Sequence, residues 1–423
     1  MPAAANHLSA ADAARLIARR ELTSEALVAA CLAHIEARER EVQAWAFLDP
    51  ALALSQARRL DRESPRSPLH GIPVGIKDVF DTADMPTEYG SPIYRDYRPR
   101  SDAACVALLR EAGCVILGKT VTTEFANNHP SRTRNPRNPT HTPGGSSSGS
   151  AAAVADWMVP LALGTQTGGS TIRPAAYCGA VGYKPTFNSI NRSGLKFVSE
   201  SLDTVGIISR WAGDAALAIQ VLSGRTPVAV QDTPRIGLWR TPRWNDADDA
   251  THAVIEKAVA TLKKAGAQVV DFEMPAGSDR LFDEHGTIMH YEAARALAWE
   301  YAHHREQISA SLLPRLEEGR EFTRRAYDGA RELTRDCRQR LVYQMREIDF
   351  LVTPSAPGEA PGRLDTTGSA LFNRVLTLLG LPCVTLPYGT GPHGLPLGVQ
   401  LVGRIEGDME LLAWAAWAEE RLR

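Results

Sequence analysis

The sequence predicts an α/β protein: a central, twisted, mixed and largely parallel sheet covered by helices on both faces. Three observations carry this expectation. Strand-like and helix-like segments alternate along the 423 residues, the pattern of repeated strand–helix units. Some strand candidates, Val159 to Leu163 among them, are short continuous apolar runs, as strands buried on both faces require. Finally, two glycine-serine turns, Gly144 to Ser150 and Thr167 to Ser170, bracket one helix-forming run and one strand.

The elements follow in order. Ser9 to Arg20 and Ser24 to Arg38 read as amphipathic helices, capped by Ser9 and by Thr23/Ser24. Ala44 to Leu48 alternates like a strand, and Asp49-Pro50 opens a helix that runs to about Glu63. Leu69 to Asp78 holds a short apolar strand ending in Lys77-Asp78. An irregular loop over 84–100 then carries Tyr89, Tyr94 and Tyr97. Asp102 to Ala112 is helical, Val115 to Leu117 is strand, and Asn127 to Pro143 is a Pro/Asn/Arg-rich loop long enough to suggest a functional role. Ala151 to Trp157 is a helix, since alanine loses no side-chain entropy there. Strands are expected at 236–239, 268–272, 350–353, 384–386 and 399–402. The helices between them fall near 248–265, 288–305, 320–347, 369–379 and 408–422. The stretch 275–348 has no strand signal and reads as a helical insertion within a single domain spanning 1–423.

Composition narrows the function classes. With 47 basic and 49 acidic residues, the formal charge is −2. The basic residues are scattered, which disfavours nucleic acid and anionic membrane as partners. No apolar run approaches the ~18 residues of a membrane span. The six cysteines are widely spaced with no C-x-x-C pair, so buried free thiols in a reducing compartment are expected. The start, Met1 to His7, lacks a basic head followed by an apolar stretch. A cytoplasmic location is the expectation.

Chemistry is concentrated at the glycine-serine turns. Glycines permit positive φ and let successive N–H groups approach a ligand without side chains in the way, as an oxyanion site needs. A serine ends the second turn, and a serine nucleophile needs a base to take its proton. None of the eleven histidines has a suggestive context. A literal G-x-S-x-G runs from Gly145 to Gly149, but Asn138 to Pro143, not a buried strand, precedes it. An S-x-x-K at Ser193 to Lys196 stands in an apparent turn without companion motifs. Lysine is the other available base, because burial drives it from about 10.4 towards 7–8. Lys77, at the end of an apolar strand, suits that role. Its alternative is a surface lysine paired with Asp78.

Taken together, the order Gly75-Ile76-Lys77-Asp78, Pro143 to Ser150, Gly164 to Ser170, Cys178-Gly179 and Gly182 to Thr186 closely resembles the amidase signature family. The C-terminal stretches Gly380 to Pro387 and Gly394 to Gln400 extend the resemblance over roughly residues 10–420, with 275–348 the least recognisable part. The resemblance implies Ser170 as nucleophile, Ser146 as a bridging serine in a cis peptide, and Lys77 as general base. It further implies an oxyanion hole from the N–H groups of Thr167, Gly168, Gly169 and Ser170, and no metal or organic cofactor. Two departures stand out. Gln166 occupies a position where many members have aspartate, and Arg173 lies three residues after the nucleophile instead of two.

The resemblance leaves the substrate open. Gly144, Gly145 and Tyr89 are candidate substrate-binding residues, with the pocket expected from the tyrosine loop, the 127–143 loop and part of 275–348. Arg132, Arg134 and Arg137 are candidates for meeting an anionic substrate, against the plainer reading of solvated loop arginines. A stand-alone hydrolase of a small-molecule amide or carbamate is the favoured function, with a homodimer as the assembly to test. The alternatives are a glutaminase-like subunit of a tRNA-dependent amidotransferase and a catalytically silent binding protein.

Overall fold

The computed structural model describes residues 5–230 and 233–423, so the first four residues of the N-terminal stretch lie outside the described residues. Among the described residues eleven strands form: β1 (Trp45–Leu48), β2 (Pro73–Lys77), β3 (Val115–Thr120), β4 (Leu161–Gln166), β5 (Val181–Lys184), β6 (Thr204–Ser209), β7 (Arg235–Leu238), β8 (Gln268–Asp271), β9 (Phe350–Pro354), β10 (Cys383–Thr390) and β11 (Pro396–Val402). They make one sheet in the order β1-β3-β2-β4-β6-β5-β10-β11-β9-β7-β8. The sheet is mixed, as expected of the α/β class. β3, β2 and β4 run parallel, as do β9, β7 and β8. Between these blocks β4, β6, β5, β10, β11 and β9 alternate in direction, and β1 adds antiparallel to β3.

Local signals hold where they are strongest. Ser9, Thr23, Asp49 and Asp248 each accept an N–H at a helix start, and Pro50 occupies the first turn of its helix. The alanine run forms the helix Ser148–Ala155, every residue of which is buried. Small side chains permit this approach: a Cβ on Gly149 would lie 2.2 Å from the Ala44 carbonyl oxygen and 2.3 Å from the Val121 nitrogen.

Outside 275–348, two strands and two helices, the short Ile172–Cys178 among them, depart from the sequence expectation. β5, β6 and the helix Ala212–Ser223 carry no expected element. Glycines interrupt both strand patterns, and each marks a close contact with the chain just after Ser170. A Cβ on Gly206 would lie 2.2 Å from Thr171 Oγ1, and one on Gly182 would lie 2.6 Å from the Ala175 Cβ. The 275–348 stretch is helical as expected, with shifted bounds. The helix expected over 288–305 begins early and is divided into Leu281–Ala296 and Ala298–His303, while the one expected over 320–347 is Arg324–Gln344, preceded by an unexpected Leu313–Glu321. Thr323 restarts the chain there by accepting the Ala326 N–H. All six cysteines are free and buried. Among the described residues no helix is long and apolar enough to cross a membrane.

Candidate active site

β2, β3 and β4 are parallel, so Lys77, Thr120 and Gln166 end together at one edge of the sheet, the edge at which open α/β sheets bind ligands. Lys77 is fully buried. Its Nζ donates to Ser146 Oγ at 2.7 Å and to Thr165 Oγ1 at 2.6 Å. The pairing with Asp78 does not occur. Asp78 faces the equally buried Lys119, at 3.0 Å. Lys77 therefore has hydroxyls for neighbours and no carboxylate in contact among the described residues. Burial lowers it from 10.5 to about 7, against a smaller opposing pull from Asp203.

The two glycine-serine turns are joined through their backbones. The Ser147 N–H donates to the Ser170 carbonyl at 3.2 Å, and Ser147 Oγ accepts the Thr165 N–H at 3.1 Å. Arg173, buried behind both turns, donates to the Gly145 carbonyl at 2.6 Å and to the Gly368 carbonyl at 2.9 Å. The Gly145–Ser146 peptide is cis. Ser146 and Lys77 are thus in contact, and Ser170 belongs to the adjoining turn. No hydrogen bond joins Ser146 Oγ to Ser170 Oγ, and no histidine bonds to Ser170 Oγ among the described residues.

The backbone of 167–170 is held in a particular sense. Each carbonyl of the turn accepts a bond: Thr167 from His285 Nε2 at 2.9 Å, Gly168 from Thr377 Oγ1 at 2.8 Å, Gly169 from the Arg173 N–H at 2.9 Å and Ser170 from Ser147. In a trans peptide the N–H points opposite to the preceding carbonyl. Anchoring these carbonyls therefore directs the N–H groups of Gly168, Gly169 and Ser170 the other way. None of the N–H groups of 167–170 donates to an acceptor among the described residues. His285 is buried and pushed down to about 3 by desolvation, so it is neutral at pH 7. Because a carbonyl only accepts, its Nε2 carries the proton.

Gln166 takes over the support that a carboxylate was expected to give. Its Oε1 accepts the N–H groups of Thr171 and Ile172, both at 3.0 Å, and its Nε2 donates to Thr377 Oγ1 at 2.9 Å. An amide thus anchors the chain after Ser170 without any ion pair to Arg173. Asn373 and Thr377 lie one turn apart in the helix Leu371–Leu378, whose other residues are apolar except Arg374, a spacing that brings both to one face. A Cβ on Gly169 would lie 2.3 Å from Asn373 Oδ1 and 2.9 Å from the Ala370 Cβ. Asn373 cannot simply give way, because its Nδ2 donates to the Ser355 carbonyl. Gly169→Ala is expected to lower kcat by about 10²-fold through misplacement of the turn. Steady-state kinetics beside a thermal melt tests this; a change within twofold would mean that the turn is not rigidly held.

A narrow cavity of about 50 Å³ opens beside Ser170, lined among others by Asn127, Asn128, His285, Met289, Arg173 and Arg374. The 127–143 loop and the 275–348 stretch both contribute to its lining. Tyr89 does not line it: its phenol donates to Asp81 at 2.7 Å, and its ring packs on Tyr94. Gly144 and Gly145 lie behind the cavity, against Pro174 and Thr367. Arg132, Arg134 and Arg137 do not line the cavity, in keeping with the plainer reading of loop arginines. Arg132, Arg134 and Arg137 donate to the carbonyls of Trp45, Pro139 and Cys178, while the cavity's arginines are Arg173 and Arg374. His285 carried no signal in the sequence, and Thr377 and Arg374 none beyond one polar face on the mostly apolar helix Leu371–Leu378.

Known proteins resemble this chain over nearly its whole length. A family model described as Amidase matches residues 26–412. A glutamyl-tRNA(Gln) amidotransferase subunit of Chloroflexus aggregans is 34% identical, over 96% of this chain and 95% of that protein. That alignment runs over 471 positions, more than this chain has residues, so the relative carries insertions absent here. The peptide amidase of Stenotrophomonas maltophilia superposes with a TM-score of 0.85 at 32% identity, covering 99% of this chain and 97% of that one. A crystal structure described as an amidase gives a TM-score of 0.91 at 30% identity, covering 98% and 100%.

Proposed function

The chain belongs to the amidase family, an enzyme acting on C–N bonds, and from that premise we propose that it works through an acyl-enzyme on Ser170, with Ser146 as proton shuttle and Lys77 as general base. The observation that carries the proposal is the buried contact of Lys77 Nζ with Ser146 Oγ at 2.7 Å. It joins a lysine lowered to about 7 to a turn bonded to that of Ser170.

In this reading Ser146 gives its proton to neutral Lys77 and takes the proton of Ser170. The Ser146–Ser170 link closes in the substrate complex, where catalytic hydrogen bonds tighten. Ser170 Oγ attacks the carbonyl carbon, and the developing oxyanion meets the N–H groups of Thr167, Gly168, Gly169 and Ser170. Each such donor contributes about 3 kcal/mol to transition-state stabilisation. The proton returns through Ser146 to the leaving nitrogen as the C–N bond breaks, and the amine departs. Water, deprotonated along the same path, then attacks the ester and releases the acid and Ser170. Every step is a proton transfer or an acyl transfer.

Two contexts fit this chemistry. Sequence comparison favours the glutaminase-like role in a larger complex over the stand-alone amidase, since curated relatives at 31–34% identity are subunits of glutamyl-tRNA(Gln) amidotransferase. Structural likeness to peptide amidase supports the stand-alone enzyme. The test is ammonia or amine release from aryl amides, a carbamate, butanamide and glutamine by the purified chain. Turnover by the chain alone supports the stand-alone enzyme. Glutamine turnover only on addition of partner amidotransferase subunits supports the other. No turnover in either arm counts against hydrolysis altogether.

A further inference from the structure

The cavity beside Ser170 is small and positively charged. At about 50 Å³ it admits roughly four water-sized groups, the size of a short acyl chain. None of its lining residues is acidic, and two are arginines. These two differ in one respect. The Arg173 guanidinium is held by the carbonyls of Gly145 and Gly368. Arg374, half-buried on the helix Leu371–Leu378, bonds to no acceptor and forms no ion pair among the described residues. Its Cγ lies 3.8 Å from the position of a Cβ on Gly168, so it borders the proposed oxyanion turn itself. Arg315, the next cation, donates to Asn127 Oδ1 at 3.2 Å. Burial alone lowers Arg374, with no carboxylate offsetting the cost. A half-buried guanidinium without a partner beside a nucleophile is expected to receive an anion from the ligand.

We propose that the acyl part of the substrate carries a carboxylate and no ammonium group, and that Arg374 receives that carboxylate. This rests on the acyl-enzyme reading and narrows it. A guanidinium bonds a carboxylate through two parallel N–H donors, which fixes the distance between the carboxylate and the scissile carbonyl. A zwitterionic amino acid amide is disfavoured, because its ammonium group would enter a cavity that offers two cations and no anion.

The probes are succinamate, its neutral counterpart butanamide, and zwitterionic glutamine, given to the full chain and to Arg374→Met and Arg374→Lys. For wild type, kcat/KM for succinamate is expected to exceed that for either other amide at least tenfold, the scale of one charge-assisted hydrogen bond. In Arg374→Met the succinamate-to-butanamide ratio falls towards one, chiefly through KM, and Arg374→Lys keeps part of it. Thermal melts identify a variant that fails to fold, and the other then carries the comparison. A wild-type ratio near one, a ratio unchanged in Arg374→Met, or glutamine as the best substrate would each overturn the inference while leaving hydrolysis standing. If no amide turns over, calorimetric titration of succinamate into the full chain decides. Binding weakened at least tenfold in Arg374→Met supports the site, and no binding to wild type overturns it. Absence of both turnover and covalent labelling at Ser170 would instead remove the acyl-enzyme reading.

Discussion

Ser170→Ala is expected to lower kcat by at least about 10⁴-fold, the scale on which loss of a serine nucleophile acts, while leaving the melting temperature within a few degrees. The side chain lies at the cavity wall, and its hydroxyl has no protein hydrogen bond among the described residues, so its removal breaks no structural contact. The backbone N–H groups and the Ser147 N–H bond to the Ser170 carbonyl persist in the alanine variant. Steady-state rates on the best substrate of the amide panel provide the measurement. Activity within tenfold of wild type would mean that another group attacks the carbonyl.

Lys77→Met is expected to cost about 10²–10⁴-fold in kcat/KM, the contribution of a positioned general base, and to change the shape of the pH profile. The sign follows from the direction of the shift. Burial lowers Lys77 to about 7, so below that pH it holds a proton and cannot accept another. Wild-type kcat/KM should therefore rise with pH through about 7 and level off above it. In the methionine variant the residual rate should lose that limb. The same shift has a stability consequence. An unfolded lysine keeps its proton up to about 10.4, so between about 7 and 10 the unfolded chain binds the extra proton. Wild-type stability should accordingly rise with pH across that window, a trend absent from Lys77→Met. A limb that survives the substitution would assign the titration to another group.

What could be read from the sequence was what is carried by contiguous residues. Gly144 to Ser150 and Thr167 to Ser170 each hold their geometry within a few positions, and Lys77 ends a strand recognisable by its own apolar run. What escaped is held by distant partners. His285 and Thr377 fix the carbonyls of Thr167 and Gly168 across 118 and 209 residues, and no local pattern reports such a contact. β5 and β6 were missed because Gly182 and Gly206 break the strand pattern where the sheet accommodates Thr171 and Ala175. The pairing of Lys77 with Asp78, natural from adjacency, fails because neighbouring strand residues point to opposite faces. Lys119 on the next strand meets Asp78 instead. Likewise the loop arginines 132, 134 and 137 bond to backbone carbonyls and do not line the cavity. The cavity's free guanidinium comes from a helix more than two hundred residues past Ser146.

The proposed mechanism turns on neutral Lys77 deprotonating Ser170 through Ser146. The most direct measurement is the rate of covalent labelling by a fluorophosphonate as a function of pH, with the modified residue mapped by peptide mass spectrometry. A single label on Ser170 is expected, with a labelling rate that rises through pH 7 and loses that rise in Lys77→Met. A label on another residue, or a rate with the same pH dependence in both proteins, would contradict it.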